Sequence, residues 1–511
     1  MGVFLGIDIG TSSTKVSCID SHGTHRITVG SGYKLERPES GWAEQNPEQW
    51  WQALLKALRE LREHSRDSFS FRDIEGIGLS GQMHSLVVLD GHGKVLTNAI
   101  SWADQRTHAE CSELRRRTGD AILKETGNAV NAGFTLPKLL WLRANDPECF
   151  ARIRHVLLPK DFIRYKLTNE LLTDYSDASG TLMFNPASGR WSDAVLSAVG
   201  IDKEILPEVA YSAECGGYVS HEASEVTGIP EFVPVYVGSC DVSAAVVGSG
   251  AVSENTGVVS LGSAAQVIVT TGKPVIDWKS RINLLCHGVP DEWMLMGAVQ
   301  NSGSAVEWFL EQAFSETSNS GDHDYEQLER QLSELPMRAD DPVFLPYLTG
   351  ERTPHMDENA AGVLFGLRPH HGKFHILRAV HEGIGFSIRD CVEVLREMHA
   401  DAARFMLCGG GSASGPLVRI LTANLNRPVL VSSQRDASPR GAALWAMAGS
   451  SGDLRLERIP AVEGTEAERS PDTMTKQFYD HRFDLYRKIY HDLRSSFELL
   501  AELPGESHSN T

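Results

Sequence analysis

Two acidic residues stand where a carboxylate does chemistry more readily than packing. Asp8 closes a short apolar run and is followed by Gly10-Thr11-Ser12-Ser13-Thr14-Lys15. Small residues let a phosphate approach backbone N–H groups, hydroxyls and Lys15 can donate to it, and the nearby carboxylate can hold Mg2+ through water. A plain hairpin turn is the alternative. Asp241 follows the apolar stretch Phe232 to Cys240, flanked by Ser239, Cys240 and Val242. A helix-capping aspartate would explain it structurally. A general base that takes a hydroxyl proton while a phosphoryl group is delivered to that oxygen fits the setting better.

Other turns repeat the same chemistry. Gly262-Ser263 follows a second apolar strand, and Gly409-Gly410-Gly411-Ser412-Ala413 runs from a strand toward a helix. Three consecutive glycines cost backbone entropy that an inert turn need not spend, and a turn entering a helix N-terminus suits a nucleotide phosphate. Neither G-x-x-x-x-G-K-[ST] nor an N-terminal G-x-G-x-x-G is present, which excludes a P-loop and leaves a dinucleotide enzyme unsupported. Gln82-Met83-His84 and Trp102-Ala103-Asp104-Gln105-Arg106 offer polar groups to a polyhydroxylated ligand, although a lone histidine there is as often a satisfied core residue. His370, His371, His375 and His381-Glu382 lack the HExxH pattern and read as a solvated loop and helix face.

The elements that position these residues follow from periodicity. Val3 to Ile9 and Thr14 to Ile19 form a hairpin. Pro47 to Glu63 has apolar residues at 50, 51, 54, 55, 58 and 61, one face of a helix. Short strands are expected at 74–79 and 85–89, and proline-opened helices at 137–143 and 159–167. The opening pattern recurs near 232 and again from Asn255, with strands to Leu261 and Val269 around the 262–264 turn, so two similar domains are expected. A loop with a surface helix (311–340), a long helix (375–398), and a helix (416–425) between strands at 405–407 and 429–431 follow. A small-residue helix (441–447) and a charged helix (475–501) with a disordered end complete the reading.

The 511 residues exceed what one core supports. With 48 basic and 67 acidic residues the net charge is −19, and no separate basic block is present, so nucleic acid and anionic membranes are poor partners. Eight scattered cysteines without CxxC suggest buried thiols in a reducing compartment. The N-terminus lacks a signal-peptide pattern and no apolar run reaches 18 residues, so a cytoplasmic protein is expected.

Beyond Asp8 to Lys15, the segments Trp42 to Trp51 (WAEQNPEQWW), Gly81 to His84 (GQMH), Gly133 to Trp141 (GFTLPKLLW), Leu157 to Asp161 (LLPKD) and Leu345 to Pro354 (LPYLTGERTP) occur in order. Together they resemble the FGGY family of carbohydrate kinases, most closely its xylulokinases, from residue 1 to about 450. That resemblance implies an α/β, actin-like ATPase (ribonuclease H-like) fold with two mixed-sheet domains around a cleft. It places an N-terminal sugar-binding domain at 1–245, a C-terminal ATP-binding domain at 246–450, and an extension at 451–511. It implies ATP and Mg2+, with Asp241 the catalytic base and Asp8 and Asp241 facing the metal. Thr11, Ser12, Ser13 and Lys15 would meet the phosphates, as would Gly262 and Ser263. Gly409 to Ala413, Asp436 and Gly441 would surround the adenosine. Gln82, Met83, His84, Trp102, Asp104, Gly133 and Val242 would face the sugar, a small-molecule substrate. Gly133 occupies the position that glycerol-specific members fill with tyrosine. Val242 stands where xylulokinases have asparagine, Ser239-Cys240 where they have Gly-Gly, and Ser263-Ala264-Ala265 where they have Thr-Ser-Gly. D-Xylulose phosphorylation leads. Another pentulose or polyol (D-ribulose, L-ribulose, ribitol) and a non-catalytic actin-like nucleotide-binding protein are the alternatives, and the resemblance suggests a homodimer.

Overall fold

The computed structural model of the chain describes residues 2–65, 68–251, 255–314, 325–452, 466–470 and 473–503. Two compact units are present: Met1–Glu254 with Thr270–Leu295 and Asp436–Gly464, and Asn255–Val269 with Met296–Arg435 and Thr465–Thr511. Among the described residues no helix is long and apolar enough to cross a membrane, and the eight cysteines are free thiols, all but Cys215 buried.

The first unit is built on a seven-stranded mixed sheet in the order Cys215–Tyr218, Pro234–Tyr236, Ile74–Gly81, Val3–Ile9, Ser13–Asp20, His25–Gly32, with Ser239–Cys240 also paired to Ile74–Gly81. The expected hairpin forms: Val3–Ile9 runs antiparallel to Ser13–Asp20 with Asp8 opposite Lys15. It also runs parallel to Ile74–Gly81 with Asp8 opposite Ser80, and Ser239 and Cys240 continue that row opposite Ser80 and Gly81. Three parallel strand ends therefore finish side by side, the place where open α/β sheets bind ligands. Every residue of Val3–Ile9 is buried, because helices cover both faces of the sheet. One of them, Pro47–His64, is capped by Asn46 and buries Trp50, Trp51, Leu54, Leu58 and Leu61, the predicted stripe.

Helices Asp241–Ser249 and Ala437–Ser451 both belong to this unit. The second of them falls within residues 246–450, expected as the C-terminal domain, and small residues seat it against the first unit's sheet. A Cβ on Gly441 would lie 1.9 Å from the Ala244 carbonyl oxygen, one on Gly248 1.8 Å from that of Ala437, one on Gly78 1.8 Å from that of Ala442, and one on Gly6 1.9 Å from that of Pro439. Backbones meet directly, so Gly441, expected beside adenosine, is instead a buried packing residue.

The second unit repeats the grammar. Thr256–Leu261 and Ala265–Thr271 form a hairpin with Leu261 opposite Ala265, and Thr256–Leu261 runs parallel to Arg404–Cys408. Val429–Val431 and Glu466–Arg469 extend the sheet on that side and Trp293–Val299 on the other. Helix Lys373–Glu397 is buried almost all round because helix Thr473–Glu502 lies over the face expected to be solvated. His381 and Glu382 are 6% and 1% exposed, and Glu382 accepts from the Arg482 guanidinium at 2.6 Å. Tyr479, Phe483, Tyr486, Ile489 and Tyr490 join Val343, Leu345, Tyr347, Phe386 and Ile420 in one core, so the C-terminal extension is a core element. Of the tail expected to be disordered, 502–511, Glu502 closes helix Thr473–Glu502 and residues 504–511 lie outside the described residues.

Two predictions follow from this packing. Gly441→Ala should destabilise the protein by about 2 kcal/mol or more, since a well-packed core must shift to admit it, with the nucleotide KM of the folded fraction unchanged. Wild-type thermal stability with a raised nucleotide KM would restore a binding role. Glu351 is buried, and desolvation pushes its carboxyl up to about 8. An acid with a raised folded pKa stabilises the fold below its unfolded value, about 4.5, and that contribution is lost as pH rises toward 8. Glu351→Gln should match wild type in melting temperature near about pH 5 and exceed it by a few degrees near about pH 8.5. An offset constant with pH would contradict this.

Candidate active site

The three parallel strand ends of the first unit carry the two acids. Asp8 is 9% exposed and accepts a hydrogen bond from Ser80 Oγ at 2.8 Å. Burial pushes its carboxyl up to about 6, against the Ser80 hydrogen bond and the Lys15 charge, which favour ionisation. Asp241, half-buried, is the first residue of helix Asp241–Ser249. Its Oδ1 accepts the Val242 N–H at 2.8 Å, and its carbonyl accepts from Ser438 Oγ at 3.1 Å. Burial, with the negative charge of Asp8 second, pushes Asp241 up to about 7. The negative charge of Asp8 thus adds to burial in raising Asp241, as a like charge nearby does in a place poor in water.

The turn behind Asp8 is rigid. Gly10 N–H donates to Ser13 O at 3.0 Å, Tyr33 N–H to Ser12 O at 3.0 Å, and Tyr33 OH to Gly10 O at 2.5 Å. These bonds leave Ser12 exposed and Thr11 and Ser13 partly so. Lys15 pairs with Asp436, the residue capping Ala437–Ser451, so these two expected nucleotide contacts engage each other.

A polar chain lies beside the turn. Thr11 accepts from Trp102 Nε1 at 3.0 Å on its hydroxyl and from Gln45 Nε2 at 2.7 Å on its carbonyl. Gln45 in turn accepts from Gln82 Nε2 at 2.8 Å, and the buried Gln82 Oε1 has no protein partner. His84 has φ 65°, and its Nδ1 lies 2.5 Å from Gly180 O. Because a carbonyl can only accept, Nδ1 donates this bond. Phe134 packs on the ring, with centroids 4.6 Å apart, and the Lys138 ammonium donates to the carbonyls of both His84 and Gly133, at 3.0 and 2.6 Å. Met83 is buried beside them.

Two expected sugar contacts are placed otherwise. Asp104 is fully buried, with its oxygens taken by the Ala43 N–H at 2.6 Å and by the Arg106 guanidinium, at 2.7 Å to Nη2. Arg106 itself lies over Trp42, 3.6 Å from the ring centroid. Asp104 thus orients Arg106 and the Ala43 loop. Val242 is 1% exposed: its side chain packs in the core, and its backbone N–H is what reaches Asp241.

In the second unit the Gly262-Ser263 turn is exposed and rests on the start of helix Gly303–Phe314. Gly303 N–H donates to Gly262 O at 2.9 Å and Ser302 N–H to Ser263 O at 2.8 Å. Gly409 requires its glycine, with φ 85° and a Cβ that would lie 2.5 Å from Leu261 O. Gly410 is exposed, and a Cβ there would meet nothing within 4 Å. Ser412 is buried and turns its hydroxyl onto Gly409 O at 2.7 Å, whereas Ala413 is exposed. Elsewhere in this unit Asp340, His370 and His371 bring ligand atoms within 4.8 Å of one another. Arg368 stands 3.8 Å from the same Asp340 carboxylate, and His371 Nδ1 accepts the Arg368 N–H at 3.1 Å.

Ser80, Gln45 and Ser438 were not anticipated as parts of the site. Strand register would have found Ser80, because it is the residue directly opposite Asp8. Gln45 lay in a quoted motif without a role, and nothing local marks Ser438.

Residues 3–248 match the N-terminal domain of the FGGY family of carbohydrate kinases and residues 257–450 its C-terminal domain. The chain belongs to that family, phosphotransferases with an alcohol group as acceptor, and has its actin-like ATPase fold of two mixed-sheet domains. Its relatives include a xylulose kinase of Bacillus subtilis (strain 168), 34% identical over 491 residues that cover 96% of this chain and 97% of that protein. The crystal structure of a xyloylose kinase from Brucella ovis aligns with TM-score 0.88 and 32% identity over 96% of this chain and 99% of the other. A gluconate kinase from Lactobacillus acidophilus aligns with TM-score 0.88 and 25% identity over 98% and 99%.

The open space around Gly410 leads to a prediction. Gly410→Val should fold normally yet raise the nucleotide KM several-fold more than the sugar KM, by blocking close approach to the backbone. Equal changes in both constants, with circular dichroism unchanged, would contradict it.

Proposed function

We propose that the protein transfers the γ-phosphoryl group of ATP to the C5 hydroxyl of D-xylulose, with Asp241 as the general base. The observation that carries this reading is the placement of Asp8 and Asp241 at the ends of the two strands that pair with Ile74–Gly81 there, where burial raises both carboxyls. The full-length similarity to xylulose kinases supports the sugar class.

In the reaction the sugar hydroxyl oxygen attacks the γ-phosphorus, the bond to the ADP oxygen breaks, and the hydroxyl proton passes to the Asp241 carboxylate. A base with a pKa near the working pH is ionised often enough to accept that proton and still pulls on it usefully. The unpartnered Gln82 Oε1 is an acceptor for another sugar hydroxyl, and the His84 ring, fixed through Nδ1, is a further sugar contact. The exposed turns Gly262-Ser263 and Gly409-Gly410 suit phosphate and adenosine, and Lys15 supplies a positive charge near Asp8. The donor set of Asp8 and Asp241, two hard carboxylate oxygens, fits Mg2+, which when bound would offset charge on the transferred phosphoryl group.

Because the Val242 side chain is apolar and buried, no hydrogen bond from it selects a sugar hydroxyl, which favours a second reading, a related pentulose or polyol. Asp241→Asn should reduce kcat about 10²-fold or more while the ATP KM stays within a few-fold, and retained turnover would sink the assignment. Among D-xylulose, D-ribulose, L-ribulose, ribitol, gluconate and glycerol, D-xylulose should have the highest kcat/KM. A tenfold preference for another would move the substrate to that compound.

A further inference from the structure

The LLPKD segment carries a buried charge cluster to which the reaction above gives no task. Lys160 is fully buried on helix Pro159–Thr168, and its ammonium stands 2.6 Å from Asp161, 2.8 Å from Asp174 and 3.1 Å from Asp177. Arg164, one turn further along, reaches Asp161 at 3.2 Å. Two cations against three carboxylates leave one negative charge in excess, and burial pushes the Asp177 carboxyl well up, so a proton on Asp177 makes the cluster neutral. Buried ion pairs are weak sources of stability compared with apolar packing, which raises the question of what this one holds in place.

The contacts lead to the base. Asp174 Oδ1 faces Lys160, while Oδ2 accepts the Ser176 N–H at 2.7 Å and the Ser176 hydroxyl proton. With its proton committed to Asp174, Ser176 Oγ presents a lone pair that accepts the Cys240 N–H at 2.9 Å. Cys240 is the last strand residue before Asp241 and the N-cap of its helix. The same short helix, Tyr175–Ser179, ends at Gly180, whose carbonyl fixes His84 Nδ1. A Cβ on Gly180 would lie 2.9 Å from that ring.

We propose that Lys160, Asp174 and Ser176 form a positioning chain that holds the Cys240 amide, and through it the direction in which Asp241 leaves its strand, while Gly180 sets His84 from the same buried segment. The inference rests on Asp241 being the base. The proton acceptor and the sugar-facing imidazole then share one rigid support, and displacing it by a fraction of an ångström costs rate without removing any group that touches substrate.

Ser179 supplies the control. It is equally buried on the same helix, donating to Ser176 O at 2.8 Å and accepting the Cys286 N–H at 2.9 Å, with no bond to the Cys240–Asp241 turn. Ser176→Ala should lower kcat on D-xylulose about tenfold or more with both KM values within about twofold. Ser179→Ala should lose comparable thermal stability and keep kcat within about twofold. Ser176→Cys, which retains an acceptor, should recover part of the rate. If Ser176→Ala does not accumulate as folded protein, Ser176→Cys alone decides: reduced kcat at unchanged KM supports the proposal, and wild-type kcat overturns it. An effect confined to KM, or an equal loss of kcat in Ser179→Ala, also overturns it. Asp241→Asn is assayed in parallel: if it retains turnover, the base reading falls and this proposal with it. If it is inactive while Ser176→Ala is normal, only the positioning chain falls.

Discussion

The close approach of helix Ala437–Ser451 to helix Asp241–Ser249 and to the strands Val3–Ile9 and Ile74–Gly81 is the constraint from which the first unit's chemistry follows. Glycine at 6, 78, 248 and 441 removes the Cβ atoms that would separate the backbones. With that spacing, Ser438 reaches the Asp241 carbonyl and Trp445 Nε1 reaches Ser239 Oγ at 2.9 Å. Asp436, at the cap of the same helix, pairs with Lys15 across from Asp8. A side chain at any of the four positions would push the helix outward and loosen the turn that carries Asp241. Dense packing here is therefore a condition of the electrostatics, because it buries Asp8 and leaves Asp241 only partly open to water.

Desolvation then does what proximity alone would not. In water, carboxylates a few ångströms apart stay ionised at neutral pH, since the solvent screens their repulsion. Here burial is the larger influence on both Asp8 and Asp241, and the charge of Asp8 adds to it for Asp241. Opposing groups set the order: Ser80 and Lys15 favour ionised Asp8, whereas Asp241 has only nearby backbone N–H groups. The acid with weaker support has the higher value and is the better proton acceptor near neutrality.

Much of this was legible in the chain. Alternation around GTSS and again around Gly262 gave both hairpins, and the position of Asp241 after an apolar strand marked it correctly as a residue at a strand end. What local patterns could not supply was long-range. Gly441 reads as one more small residue near a nucleotide turn until the Ala244 backbone is seen against it. Asp104 looks available until Arg106, held between Trp42 and Trp141, claims its oxygens. Glu382 and Arg482 are a hundred positions apart, and only their pairing explains why a charged terminal helix belongs to a core. The Asp174–Ser176–Cys240 chain escapes reading for the same reason, since hydrogen-bond direction is set by neighbours distant in sequence.

The central claim is that Asp241 meets the hydroxyl that is phosphorylated. A crystal structure of the protein with D-xylulose tests it most directly. An Asp241 carboxylate oxygen should lie about 3 Å from the C5 hydroxyl, within hydrogen-bond reach of the proton to be removed, with the His84 ring on another sugar oxygen. A sugar seated with its C5 hydroxyl on a different side chain, and Asp241 beyond the reach of one bridging water, would contradict it.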